Sequence, residues 1–421
     1  MSPAREVVIT GLGIICPIGI GTNAVWNSLC ARQSGVRPLT CFDTSGAFLH
    51  FGAEVLNFDP KEYVKPRKSL KVMSRDIQFG VAAADMARTD AGLTDVQLDP
   101  ERFGVVFGAD LMHCQLEDVE NAFRRCTVEG RFDFELWGKY AMEEVFPLWM
   151  LKYLPNMPAC HIAIAHDARG PNNSHSLAEA SSLIAMSEAC RIIERGHADV
   201  MITGGACSRI HPTLWVRSSL LPVSRRNDDP QHASRPFDAD RDGFVNGEGA
   251  AAFVLETREH ALARGAKILA SIRGFGNSFE ARENGRPLEG AATRRAIAAA
   301  MRMADFTPRD IGHVNAHGLS TIDDDRAEAR AIRAELADVP VTAPKSYFGS
   351  LGAAAGAVEM VVSLLAFEHG QTPVTLNYER ADPECQVNVI HGEPLGGRPA
   401  TALLLNQAPM GQSAALVIAG E

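Results

Sequence analysis

The 421-residue chain has no excess of positive charge. Its 41 Lys and Arg stand against 51 Asp and Glu, a net charge of −10. That balance argues against bulk attraction to nucleic acid or to an anionic membrane surface. Neither is expected as a partner. The chain also has no CxxC pair, and its nine cysteines are an odd count without disulfide-framework or zinc-ligand spacing. No metal and no cofactor are expected, and the reducing cytoplasm is the expected location. The N-terminal run MSPAREVVITGLG has no charged stretch followed by a long apolar one, so no signal peptide is expected. No apolar run of the roughly 18 residues needed to span a bilayer is expected either.

What is present fits a soluble α/β protein. The composition is 46% hydrophobic with 36 Gly and 23 Pro, which argues against disorder. Short β-branched runs alternate with helical periodicity. Strands are expected at Val7 to Thr10, Phe103 to Phe107, Asp199 to Thr203 (ended by Gly204 and Gly205), Ile268 to Ile272, His313 to Ala316 and Leu403 to Leu405. Helices are expected at Asn23 to Ala31, Ala178 to Glu194, Ala291 to Ala304 and Gly356 to His369, with Gly196 closing the second. Such alternation predicts a mainly parallel sheet covered by helices. The second part of the chain reuses the parts of the first. This predicts two similar halves, 1–258 and 259–421, sharing one interface.

Several segments can carry chemistry. Gly170 to Ser182 reads as a strand turning sharply into a helix, with Glu179 at the elbow. Helix N-termini favour negative charge. A cysteine there would be an activated nucleophile. A glutamate is either an anion in a favourable place or a helix cap. His317 ends a buried strand, where ligands of α/β folds gather, although a lone histidine is more often structural. Asp323, Asp324, Asp325 and Glu328 read as a solvated face or as groups that orient His317. Lys345 opens a loop rich in small residues; a buried lysine there needs an anionic partner. Asp238, Asp240 and Asp242 have calcium-loop spacing, but the glutamate expected at position twelve is absent. A salt-bridged turn is the better reading. Lys65, Arg67, Lys68 and Lys71 make the stretch from Lys61 to Arg75 basic, as a solvated face or as a docking patch.

Taken together, VVITGLGIICPIG, SRRNDDPQHASRPFDADRDGFVNGEGAAAFVLE, NAHGLST and KSYFGSLGAAAGAVE resemble the β-ketoacyl synthase family nearly end to end. The resemblance implies a thiolase-like fold. Two duplicated halves would form a five-layer αβαβα sandwich, normally dimeric. Active members load an acyl group from an acyl carrier protein onto a cysteine, then condense it with a decarboxylated malonyl unit. Two histidines and a lysine assist, and backbone N–H groups form an oxyanion hole. By that resemblance the cysteine position is Glu179, the first histidine His317, the lysine Lys345 and the second histidine Ser350. Glu328 and Glu248 match supporting acidic positions. The family's gating phenylalanine aligns with Ala408, followed by Pro409 and Met410, so Ala408, Met410 and Ser350 are expected to face the substrate. Asn277 to Gly290 looks shorter than in the family, which would change the pocket wall.

These departures argue against a condensing enzyme working alone. They resemble the chain-length factor of type II polyketide systems, the partner of an active ketosynthase subunit. In that reading Glu179 pairs with Lys345 or His317. Two alternatives remain: a malonyl carrier-protein decarboxylase using Glu179, His317 and Lys345, and a non-catalytic homodimeric module that binds the carrier protein.

Overall fold

In a computed structural model of the chain, residues 5–282 and 287–421 are described. Ten strands carry the architecture. The first half contributes β1 (Val7–Cys16), β2 (Phe103–Gly108), β3 (Asn172–His175), β4 (Val200–Ser208) and β5 (Glu248–Thr257). The second contributes β6 (Ala270–Phe279), β7 (His313–Asn315), β8 (Pro340–Thr342), β9 (Thr401–Gln407) and β10 (Gln412–Gly420). In space the first half runs β3-β2-β4-β5-β1 and the second β6-β10-β9-β7-β8. A short antiparallel pairing, Val8 with Ser271 and Ile9 with Ala270, joins β1 to β6.

Each half has the same mixed pattern, not the mainly parallel sheet read from the sequence. β1, β5 and β4 pair antiparallel, and β4, β2 and β3 parallel. Likewise β6, β10 and β9 pair antiparallel, and β9, β7 and β8 parallel. Alternation of strands and helices signals crossovers, but it does not reveal that consecutive β9 and β10 form a hairpin.

Six helices complete five layers. α1 (Arg75–Asp90) and α2 (Met157–His166) cover the outer face of the first sheet. α3 (Ser181–Glu194) and α6 (Ala355–His369) lie between the two sheets. α4 (Ala291–Ala304) and α5 (Ile322–Leu336) cover the second half. The sequence dictates these positions. In α4, Ala292, Ala296, Ile297, Ala300 and Met301 are buried while the arginines face out, one apolar stripe for one sheet. α6 is buried almost all round, as a helix between two sheets must be. The stretch Gly352–His369 even has the length and apolar composition of a membrane span, contrary to the sequence expectation; here the two sheets cover it.

Strands also ran further than expected. β4 continues through Gly204 and Gly205 to Ser208. These glycines mark close approach, not a strand end. A Cβ on Gly204 would lie 2.1 Å from the Ala251 carbonyl, and one on Gly205 would lie 2.4 Å from that of Ala353. The acidic turn is closed by protein groups. Asp238 accepts from the backbone N–H groups of Asp240, Glu379 and Arg380 and pairs with Arg235.

Candidate functional site

The elbow forms as the sequence suggests. β3 ends at His175, Ala178 takes a left-handed φ of 47°, and a 3-10 turn, Ala178–Ala180, leads into α3. A left-handed alanine costs about 1–2 kcal/mol. The Ser181 hydroxyl holds the turn by accepting from Leu177 N (2.8 Å) and donating to Ala178 O (2.6 Å).

Glu179 is buried at this elbow and does not cap its helix. Arg209, one residue beyond β4, donates to Glu179 Oε1 at 2.6 Å. This corrects the expected pairing with Lys345 or His317. The same guanidinium donates to Ser350 Oγ (3.1 Å) and lies 3.4 Å from Asp110 Oδ2. Ser350 in turn donates to Glu179 Oε1 at 3.2 Å. Burial pushes the Glu179 carboxyl up, but the charge and hydrogen bond of Arg209, with the more distant Lys345, outweigh it. The net result lies below the usual carboxylate range, so Glu179 is a permanent anion at neutral pH.

The C-terminal half supplies a second network. Lys345 donates to His317 O (2.7 Å), to His317 Nδ1 (3.2 Å) and to Glu359 Oε1 on α6. Glu359 Oε2 accepts from Asn406 (2.8 Å). All three ammonium protons thus have acceptors, and Glu359 is the anion that a buried Lys345 requires. Because lysine only donates, His317 Nδ1 accepts and Nε2 carries the ring proton. Burial, then the charges of Lys345 and Arg209, hold the imidazole well below its ordinary range, so it is neutral at pH 7. Glu328 accepts from the backbone N–H groups of His317 (2.7 Å) and Gly318 (2.8 Å). It thereby fixes the chain at the end of β7. Burial raises the Glu328 carboxyl to about 8 despite these bonds.

A cavity of about 860 Å³ opens onto these groups. Glu179, Arg209, Asp110 and His317 line it together with Ala408 and Met410. Ala408 is buried, Met410 is exposed, and Pro409 also faces the space. Ser350 and Lys345 are buried outside this lining, so Ser350 serves the Glu179 and Arg209 network and not the cavity surface. The N–H of Ala408 donates to Gln412 O at 2.8 Å, so this loop closes on itself and does not offer that donor to a ligand. Pro409 has no N–H to offer. One cysteine, Cys207, lines the cavity. Burial, with Asp110 and Asp76, pushes its thiol far above the ordinary range, the opposite of an activated thiolate.

Other expected residues lie elsewhere. Glu248 forms a paired bond with Arg75 (2.8 and 2.6 Å) and accepts from Val55 N and the Ser208 hydroxyl, tying β4 and β5 to the start of α1. Lys65, Arg67, Lys68 and Lys71 are exposed around the turn Arg67–Val72, away from the cavity lining. Asp325 accepts from Ser320 N and Phe237 N, whereas Asp323 and Asp324 do reach the cavity lining, and Asp324 accepts from Thr321. Part of the Asn277 to Gly290 wall lies outside the described residues. Sequence reading missed Arg209, Asp110 and Glu359. Asp110 and Arg209 follow the C-terminal ends of β2 and β4, just as His317 and Lys345 follow β7 and β8. The strand-end rule could have found both.

Comparison with known proteins places this arrangement. Residues 4–261 match the family described as Beta-ketoacyl synthase, N-terminal domain, and residues 269–379 match Beta-ketoacyl synthase, C-terminal domain. The chain belongs to the β-ketoacyl synthase family, and its fold is that of the thiolase-like ketosynthases. It is 35% identical to a 3-oxoacyl-[acyl-carrier-protein] synthase 2 of Synechocystis sp., over 92% of each chain. It is also 35% identical to the tetracenomycin polyketide synthase ketoacyl synthase alpha subunit of Streptomyces glaucescens, over 99% of this chain and 97% of that one. Among solved structures, the ishigamide ketosynthase/chain length factor superposes with a TM-score of 0.85 at 29% identity, covering 99% of this chain and all of the other.

Proposed function

We propose that this chain is a non-condensing ketosynthase-like subunit of a type II polyketide or fatty-acid-like system. It acts as the chain-length-factor partner of an active ketosynthase. The observation that carries the reading is the ion pair at the elbow. A carboxylate bound to Arg209 and Ser350 cannot exchange thioesters as a thiolate does. The Ala408 N–H is already spent on Gln412, and an oxyanion donor is worth roughly 10²–10³ in rate. His317 and Lys345 are present but bonded to structural partners. The cavity then shapes and receives an acyl chain made by the partner. Lys65, Arg67, Lys68 and Lys71 give an acidic carrier protein an exposed basic face to dock on. Cytoplasmic location rests on the cysteine usage alone.

Co-expression with an active ketosynthase subunit of the same organism, followed by sizing, tests the reading. A 1:1 heterodimer is expected. A chain that purifies only as a homodimer and ignores the ketosynthase contradicts it and favours a carrier-binding module. Release of acetyl carrier protein from malonyl carrier protein by the chain alone would instead support decarboxylation.

A further inference from the structure

The Arg209 side chain keeps 16% of its surface exposed, while that of Glu179 keeps 1%, and Ser350 is as deeply buried. Arg209 is therefore the last group that a ligand in the cavity meets before the elbow. It is held from three sides, by Glu179, Ser350 and Asp110. Its berth is tight: a Cβ on Gly352, whose φ is +52°, would lie 2.9 Å from Arg209 Nε and 2.6 Å from Cys207 Sγ. Moving the guanidinium aside would leave the Glu179 charge buried without its partner. Away from the elbow the lining also offers apolar surface in Leu214, Leu220, Leu221, Phe244 and Ile322, interspersed with Arg217, Asp242, Asp323 and Asp324.

We propose that Arg209 is a specificity-determining residue. Its ion-paired guanidinium closes the cavity at the elbow, so the site takes acyl chains only up to the length that ends in front of it. This rests on the reading of the cavity as an acyl-chain site. The physical basis is the contrast between the two ends. Methylenes gain by leaving water for that apolar surface. They gain nothing against a fixed charge cluster whose hydrogen bonds they cannot replace.

The test measures the affinity of the purified chain for butanoyl-, octanoyl- and dodecanoyl-pantetheine by calorimetry. Each fully buried methylene is worth about fourfold in affinity. In the wild type, affinity rises from butanoyl to octanoyl and changes by less than about twofold from octanoyl to dodecanoyl. Arg209→Met alone would strand Glu179, so the comparison uses the double variant Arg209→Met/Glu179→Gln, with its fold checked by melting. There the step from octanoyl to dodecanoyl exceeds about tenfold. A wild type that already gains tenfold at that step overturns the proposal, as does a folded double variant that gains nothing. If none of the three thioesters binds, the acyl-cavity reading fails and takes this proposal with it. Failure to form a heterodimer would leave the length dependence standing.

Discussion

The two halves of the molecule hold different buried charge pairs, one on the cavity wall and one behind it. In the first half, Glu179 and Arg209 face each other at the elbow, and Arg209 remains partly open to the cavity. In the second, Lys345 and Glu359 are wholly enclosed, and Lys345 also holds His317 in place. By family resemblance the first pair sits where the nucleophile should be, while the second contains retained positions. On the proposed reading, a retained residue need not report a retained reaction. Lys345, His317 and Glu328 tie the ends of β7 and β8 to α5 and α6, a structural task that does not depend on chemistry. At the elbow nothing structural demands a thiol, so a carboxylate and its arginine can occupy it.

The comparison breaks first at the enclosed pair. Lys345→Met leaves Glu359 without its cation and the His317 carbonyl without its lysine donor, and removing one partner of a buried pair typically costs about 3–5 kcal/mol. Denaturant unfolding should show a loss of that order; a loss below about 1 kcal/mol would mean that Lys345 is not a structural tie. Arg209→Met, at the more open pair, should cost about 2–3 kcal/mol. Adding Glu179→Gln should recover at least half of it, because no buried charge is then stranded. If the second substitution recovers nothing, the stabilising role belongs to Arg209 and Asp110 instead.

The next effect depends on pH. His317 is neutral in the fold, with its titration depressed from an ordinary 6.5. Its contribution is fully present above about pH 6.5 and is lost as pH falls, because the unfolded chain then binds the proton first. The slope for one such group is at most about 1.4 kcal/mol per pH unit. His317→Asn should flatten the decline of stability between pH 6.5 and 5. An unchanged slope would show that His317 is not among the groups that lose a proton on folding. The smallest effect belongs to the surface: Lys68→Glu with Lys71→Glu should weaken carrier-protein binding several-fold at low salt, and change stability by less than about 0.5 kcal/mol. Undiminished binding would move the docking face elsewhere.

Much of this was legible in the sequence because it depends on local pattern. The elbow at Glu179, the strand end at His317 and the helix Ala291–Ala304 follow from periodicity and turn residues. The need of Lys345 for an anion follows from its apolar surroundings. The partners did not follow. Arg209 lies beyond two glycines that read as a strand end, and only the packing of Ala251 and Ala353 against Gly204 and Gly205 shows why the strand continues. Glu359 lies in a mostly apolar helix 14 residues past Lys345, and Asp110 comes from a different strand end. Ion pairs across elements are set by the three-dimensional meeting of strand ends, which no local period encodes.

The central claim is that the elbow carries no acyl group. Intact-protein mass spectrometry tests it most directly, after incubating the purified chain with an acyl carrier protein charged with a short acyl thioester. The account predicts an unchanged protein mass. An added acyl mass that maps to Glu179, Cys207 or any other residue lining the cavity would contradict it.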